Sequence, residues 1–132
     1  MTKIALISDI HSNLEALKAV LKEIKKYKTK KIFCLGDVVG YGANPNECID
    51  LVKKNKIISI MGNHDYEAVH LQGTEWFNPV ARKAIFWTNK QLTEQNKKFL
   101  KNLADKLIST SNLTLICAVK EFCRKTASEP KL

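Results

Sequence analysis

Residues 3–11 read KIALISDIH, an apolar run that ends directly in an acid and a histidine. A continuous apolar run of this length is typical of a strand that is buried on both faces, as in a parallel sheet. We therefore predict a strand over residues 3–8. Asp9 and His11 then follow at its carboxyl end, where their polar side chains break the apolar pattern of the strand.

The same arrangement occurs twice more along the chain. Residues 31–35 form a second apolar run, followed by Gly36 and Asp37. Residues 57–61 form a third, followed by GNHD at residues 62–65. Helical patterns separate the three runs, so the first half reads strand, helix, strand, helix, strand. This alternation predicts the α/β class, with a parallel sheet and right-handed crossovers.

Helix starts are marked by capping residues. Ser12 and Glu15 match the capping-box pattern, and Asn44 precedes Pro45 in the same way, with Glu47 completing a second box and the helix ending near residue 54. Later in the chain, two further helices are predicted to start at Asn78-Pro79 and at Thr93.

The three polar clusters should meet, because the carboxyl ends of parallel strands lie at one edge of a sheet. The residues delivered there are Asp9, His11, Asp37, Asn63 and His64. Carboxylates and imidazoles together suit divalent transition metals such as Mn, Fe, Zn or Ni. Two such ions roughly 4 Å apart can clamp a phosphate and share a bridging hydroxide, formed from water whose pKa falls to about 7. Asp37, from the middle cluster, is the predicted bridging ligand.

These motifs resemble a known family. Asp9-Ile10-His11, Gly36-Asp37-Val38-Val39-Gly40 and GNHD at residues 62–65 resemble the first three signature blocks of the calcineurin-like metallophosphoesterases. The stretch GYGANP at residues 40–45 further resembles the bacterial and archaeal branch of predicted phosphodiesterases. The resemblance covers residues 1–116 and implies an α/β/β/α sandwich, of which this chain would hold mostly the N-terminal half. It also implies hydrolysis of phosphodiester or phosphomonoester bonds.

The resemblance implies a role for each matched metal ligand. Asp9 and His11 would bind the first ion. Asp37 would bridge the two ions, and Asn63 would bind the second. Manganese is among the ions that this ligand set would accept.

It also implies two catalytic residues. His64 would contact the scissile phosphate or protonate the leaving oxygen, and Asp65 would orient His64 from behind. The protein phosphatases of the superfamily carry Asp-Arg-Gly where this chain has Gly40-Tyr41-Gly42, and they end the third block in Glu rather than Asp65. These departures argue against a Ser/Thr protein phosphatase.

The later histidine blocks of the family have no counterpart here, because no histidine follows His70. Strands are expected over residues 106–109 and 113–117, but Cys117 stands where the next block should begin, and residues 117–132 are expected to form a poorly ordered tail. The expectation is a truncated or frame-shifted gene. An inactive remnant that binds metal weakly, or that serves as an interaction module, is therefore the alternative to an enzyme, and an uncovered sheet face could allow self-association.

Composition adds broader limits. The 132 residues carry 22 Lys and Arg against 13 Asp and Glu, a formal charge of +9. The lysines are scattered, which favours a solvated surface over a nucleic-acid interface, although nucleic acid stays a less favoured alternative. The apolar runs are too short for a signal peptide or a membrane span. A cytoplasmic protein with reduced thiols is expected, with Cys34 as a small core residue.

Overall fold

The computed structural model describes residues 3–105 and contains the predicted parallel sheet. Its strand order is β1-β2-β3, formed by β1 (Ile4–Ile7), β2 (Lys31–Cys34) and β3 (Ile58–Ser59). Both strand pairs are parallel, and the crossovers contain the helices α1 (Leu14–Lys26) and α2 (Pro45–Lys54). The α/β class and the order of the first five elements are therefore confirmed.

All three strands are shorter than predicted, because the backbone turns where the polar residues begin. Asp9 and Asp37 have positive φ angles of 53° and 55°, and Gly36 has a φ of 100°. These angles lie in the left-handed region and end the extended conformation. Ile60, just beyond β3, instead pairs with Ala104 in an isolated parallel bridge.

The prediction that β1 is buried on both faces is wrong for the described chain. The core packs against the face that carries Ile7 and Cys34. The opposite face carries one apolar row across the sheet, in which Leu6 is paired with Phe33 and Phe33 with Ile58. Leu6 is 52% exposed and Ile58 is 37% exposed. Self-association through this face stays a prediction.

The start of α1 differs from the prediction by one residue. Asn13, not Ser12, is the N-cap, and its side-chain oxygen accepts a hydrogen bond of 3.0 Å from the Ala16 N–H. Ser12 has a φ of 58°, is fully buried, and its hydroxyl has no hydrogen-bond partner in the described structure. The loop conformation before the helix, which the capping pattern does not encode, moves the cap by one position.

We therefore expect Asn13→Ala to lower the free energy of unfolding by about 1 kcal/mol, because one N–H of the first helical turn loses its acceptor. Ser12→Ala should not lower it, since the hydroxyl that it removes makes no bond. Urea unfolding followed by circular dichroism measures both. Equal losses in the two variants would contradict the observed cap.

Three further helices start where the sequence predicts, with one difference in capping. Asn44 precedes α2, but its side chain makes no capping hydrogen bond, so the predicted box with Glu47 is not formed. Asn78 caps α4 (Pro79–Gln91) and Thr93 caps α5 (Glu94–Lys101), each through its side-chain oxygen. Local capping chemistry is therefore sufficient to place these two helices.

The third polar cluster is part of a helix. Gly62 is the N-cap of α3 (Asn63–His70), and a short 3₁₀ helix follows over Thr74–Trp76. Asn63 and His64 thus lie on the first turn of α3 and not in a loop. This start places backbone N–H groups, which carry partial positive charge, at the sheet edge.

Several expectations fall on residues that the structure does not describe. They are the strands predicted over 106–109 and 113–117 and the tail predicted over 117–132. Between residues 3 and 105 there is one sheet, and the second sheet of the expected sandwich has no strand there. Over the same residues, no helix combines the length and the apolar character needed to cross a membrane.

Candidate metal centre

Three of the predicted metal ligands lie together at the carboxyl edge of the sheet. Asp9 and His11 follow β1, and Asp37 follows β2. Each offers one ligand atom, and these atoms all lie within 4.8 Å of one another. Asp9 Oδ1 lies 3.6 Å from His11 Nε2. Two carboxylates and an imidazole at this spacing are a donor set that a single divalent ion can engage.

Backbone hydrogen bonds continue the strand pairing into the two loops and hold the ligands in register. The Asp9 N–H donates to the Gly36 carbonyl over 3.2 Å, and the His11 N–H donates to the Asp37 carbonyl over 2.9 Å. Each bond joins a residue of the loop after β1, the first loop, to a residue of the loop after β2, the second loop. The ligand positions are thus tied to the sheet itself.

Left-handed backbone conformations are concentrated in these loops. Ten described residues have positive φ, and seven of the ten lie in the loops after β1 and β2: Asp9, His11, Ser12, Gly36, Asp37, Gly40 and Tyr41. A non-glycine residue in this region costs of order 1–3 kcal/mol, and such residues are found mostly where a functional site requires them. The strain coincides with the proposed ligands, which supports a functional reading of the loops.

Helix α3 brings the third cluster to the same edge. The His64 N–H donates to Asp37 Oδ1 over 3.0 Å, so the start of the helix is bonded directly to the predicted bridging carboxylate. Asn63 immediately precedes His64 and is half-buried, and its side-chain amide makes no hydrogen bond to any residue between 3 and 105. Binding of the second ion by Asn63 stays a prediction.

His64 is the buried imidazole of the site. It is 6% exposed, and its Nδ1 has no hydrogen-bond partner in the described structure. Burial, the larger cause, and the charge of the neighbouring His11 together lower the pKa of His64 to about 4, although the charge of Asp9 opposes the shift. At neutral pH the ring is therefore neutral and has one N–H to donate and one nitrogen to accept.

Asp65 does not contact the His64 ring, which corrects the predicted orienting role. Its Oδ1 accepts from the Val39 N–H and its Oδ2 accepts from the Gly62 N–H, both over 3.0 Å. Burial raises the pKa of this fully buried carboxyl to about 6, although the two N–H donors oppose the shift. Asp65 faces the backbone because it lies one residue further round the first turn of α3. It joins the loop after β2 to the start of that helix.

The Gly40–Gly42 loop lies against the site, as the sequence indicated. A Cβ built on Gly40 would lie 2.7 Å from His64 Nδ1 and 3.2 Å from His11 Nδ1, so only glycine fits there. The Tyr41 ring packs against both imidazoles, with centroids 5.0 Å from His11 and 4.8 Å from His64. Phe77, whose ring lies 5.1 Å from that of His64, could not be predicted from the sequence, because no spacing rule links residues so far apart.

The residues present fit a divalent ion on physical grounds. Burial raises the pKa of Asp37, and the His64 N–H and the charge of His11 oppose that shift. A bound cation would be the largest local charge and would stabilise the ionised form of such a partly buried carboxylate. The acceptor atoms of Asp9 and Asp37 and the imidazole of His11 converge without a lysine or arginine among them.

Comparison with known proteins agrees with this geometry. A family model for calcineurin-like phosphoesterases matches residues 2–122. A Methanocaldococcus jannaschii relative, the uncharacterized protein MJ0912, is 55% identical over 100 residues, which is 76% of this chain and 41% of the relative. A symmetrical bis(5'-nucleosyl)-tetraphosphatase from Actinobacillus pleuropneumoniae is 33% identical over 72 residues, which is 52% of this chain and 26% of that protein.

A solved structure shares the fold. The crystal structure of a metallophosphoesterase from Sphaerobacter thermophilus superposes with a TM-score of 0.68 at 41% identity, covering 82% of this chain and 44% of that chain. The chain thus spans two fifths of the MJ0912 relative and a quarter of the tetraphosphatase. The family model, which matches residues 2–122, spans all three polar clusters.

Proposed function

The chain belongs to the calcineurin-like phosphoesterase family, and from that premise we propose that it is a metal-dependent hydrolase of phosphodiester or phosphomonoester bonds. One observation carries the proposal. Asp9, His11 and Asp37, from two separate loops, place their ligand atoms within 4.8 Å of one another at the sheet edge. Chance rarely assembles such a set on strained backbone, because each strained residue has a free-energy cost.

In the proposed site, Asp9 and His11 would hold a first ion, Asn63 would hold a second, and Asp37 would be shared by both. Asp37 suits the bridging position because it is bonded to the first loop through its carbonyl and to α3 through its Oδ1. The ions, from among Mn, Fe, Zn and Ni, would supply Lewis-acid activation of water and neutralise charge on the phosphate. The chain's own contribution is to hold these ligands rigidly before any ion arrives.

His64 acts on the phosphate in this proposal. Its ring is neutral at pH 7 and nearly buried, with Nδ1 unpartnered among the described residues, so one ring nitrogen can donate to a phosphate oxygen or to the leaving oxygen. Asp65 contributes indirectly, because it fixes the backbone of Gly62 and thereby the first turn that carries His64. A cytoplasmic location is part of the proposal, since the buried free thiols of Cys34 and Cys48 suit a reducing compartment.

Hydrolysis of bis-p-nitrophenyl phosphate and of p-nitrophenyl phosphate tests this function. We expect hydrolysis with Mn²⁺, its loss on treatment with EDTA, and its recovery when Mn²⁺ is returned. Elemental analysis of the purified chain should find at least one ion per chain. An ion-loaded chain that hydrolyses neither ester would instead be a metal-binding module. Fewer than one ion per chain together with no hydrolysis would exclude both the hydrolase and the metal-binding module.

A further inference from the structure

Two aromatic rings from different loops pack against the imidazole of His64. Tyr41 and Phe77 each lie within ring contact of His64, at centroid distances of 4.8 Å and 5.1 Å. The two rings come from different parts of the chain, the loop after β2 and the end of the 3₁₀ helix. They are therefore brought to His64 by the fold and not by local sequence.

Tyr41 is exposed to solvent although its backbone conformation is strained. Its φ is 45°, and it lies between Gly40, with a φ of 109°, and Gly42. A Cβ on Gly42 would lie 2.5 Å from the His11 carbonyl oxygen, so the loop is pressed against the first loop and cannot withdraw. Yet the Tyr41 side chain stays 48% exposed. Packing against the histidines uses only part of the ring, which leaves the rest for another contact.

Phe77 lies against the same imidazole. Its backbone is held by its N–H, which donates to the carbonyl of the buried Thr74. Exposed aromatic groups beside a polar site are typical of surfaces on which a planar ligand stacks.

We propose that Tyr41, together with Phe77, forms an aromatic wall beside His64 that binds a planar ring carried by the phosphate ester. The ester would then be of the nucleotide type, with a base that stacks on the wall while the phosphate lies at the metal ligands. This inference rests on the proposed function, because the metal site positions the phosphate. Stacking of one base on such rings is expected to strengthen binding by about 5- to 100-fold.

The wild-type protein tests the wall without any variant. Adenosine 5'-monophosphate and ribose 5-phosphate share the phosphate and the sugar and differ by the base. With the Mn²⁺-loaded chain in a calorimeter, we expect the nucleotide to bind at least about 10-fold more tightly. Equal dissociation constants would overturn the aromatic wall and leave the proposed function standing. Binding of neither compound would overturn both the aromatic wall and the proposed function. Hydrolysis of bis-p-nitrophenyl phosphate tests the function separately.

Matched variants separate two roles of the Tyr41 ring, which are stacking on the ligand and support of the loops that carry the metal ligands. Tyr41→Leu should weaken adenosine 5'-monophosphate at least about 5-fold and leave ribose 5-phosphate unchanged, whereas Tyr41→Phe should keep both affinities. Tyr27→Leu is the control, because Tyr27 is 56% exposed and lies at the far end of α1, about 20 Å along the helix from the site. An equal loss for both ligands in Tyr41→Leu would show that Tyr41 only supports the metal loops, and would overturn the proposal.

Discussion

Asp37→Asn is expected to lower metal-dependent phosphoester hydrolysis by at least about 10³-fold, because the predicted bridging ligand loses its charge. The asparagine oxygen can still accept the His64 N–H that Asp37 Oδ1 accepts over 3.0 Å. The loop geometry should therefore survive. Since burial raises the pKa of Asp37, its ionised form opposes folding when no cation is bound. Without metal, the variant should be at least as stable as the wild type.

Activity, ion content and urea unfolding are measured together for this variant. Asp50→Asn is the matched control, because Asp50 is an exposed carboxylate on α2 whose ion pair with Lys53 spans one helical turn. Such a pair contributes little to stability, and Asp50 belongs to no part of the site. The bridging assignment fails if Asp37→Asn keeps both its ions and its activity.

Gly62→Ala is expected to lower the free energy of unfolding by about 3 kcal/mol or more and to reduce metal binding. A Cβ at this position would lie 2.0 Å from Asp37 Oδ1 and 2.2 Å from the Asp37 backbone nitrogen. The contact is close from the other loop as well, because a Cβ built on Gly36 would lie only 2.6 Å from the Gly62 Cα and backbone nitrogen. The two loops thus meet backbone to backbone, and a methyl group must push Asp37 out of place.

Thermal unfolding should show a fall in Tm on the order of 10 °C for Gly62→Ala. Gly73→Ala is the control. The three atoms nearest to its Cβ would all belong to side chains, the closest being Glu67 Oε1 at 2.8 Å, and its backbone φ of −134° suits any residue. The control should change stability by less than about 1 kcal/mol. A Gly62→Ala variant as stable as Gly73→Ala would disprove the close approach.

The sequence by itself determined the order of the elements and the edge at which the site forms. Apolar runs that end in Asp9, Gly36-Asp37 and Gly62 are local patterns, and parallel pairing brings all their carboxyl ends to one side of the sheet. The helix starts at Asn78 and Thr93 are local as well, because a cap depends only on residues within one turn. These features needed no knowledge of distant contacts.

Only the tertiary structure decided which side chains face one another. Asp65 bonds to Val39 and not to His64. Phe77 packs on His64 across twelve intervening residues, which include the rest of α3 and the 3₁₀ helix. Ser12 loses its cap to Asn13 because its own backbone is left-handed. The physical reason is common to all three. Left-handed turns and contacts between separate loops depend on how the loops pack together, and no hydrophobic period or capping pattern records that packing.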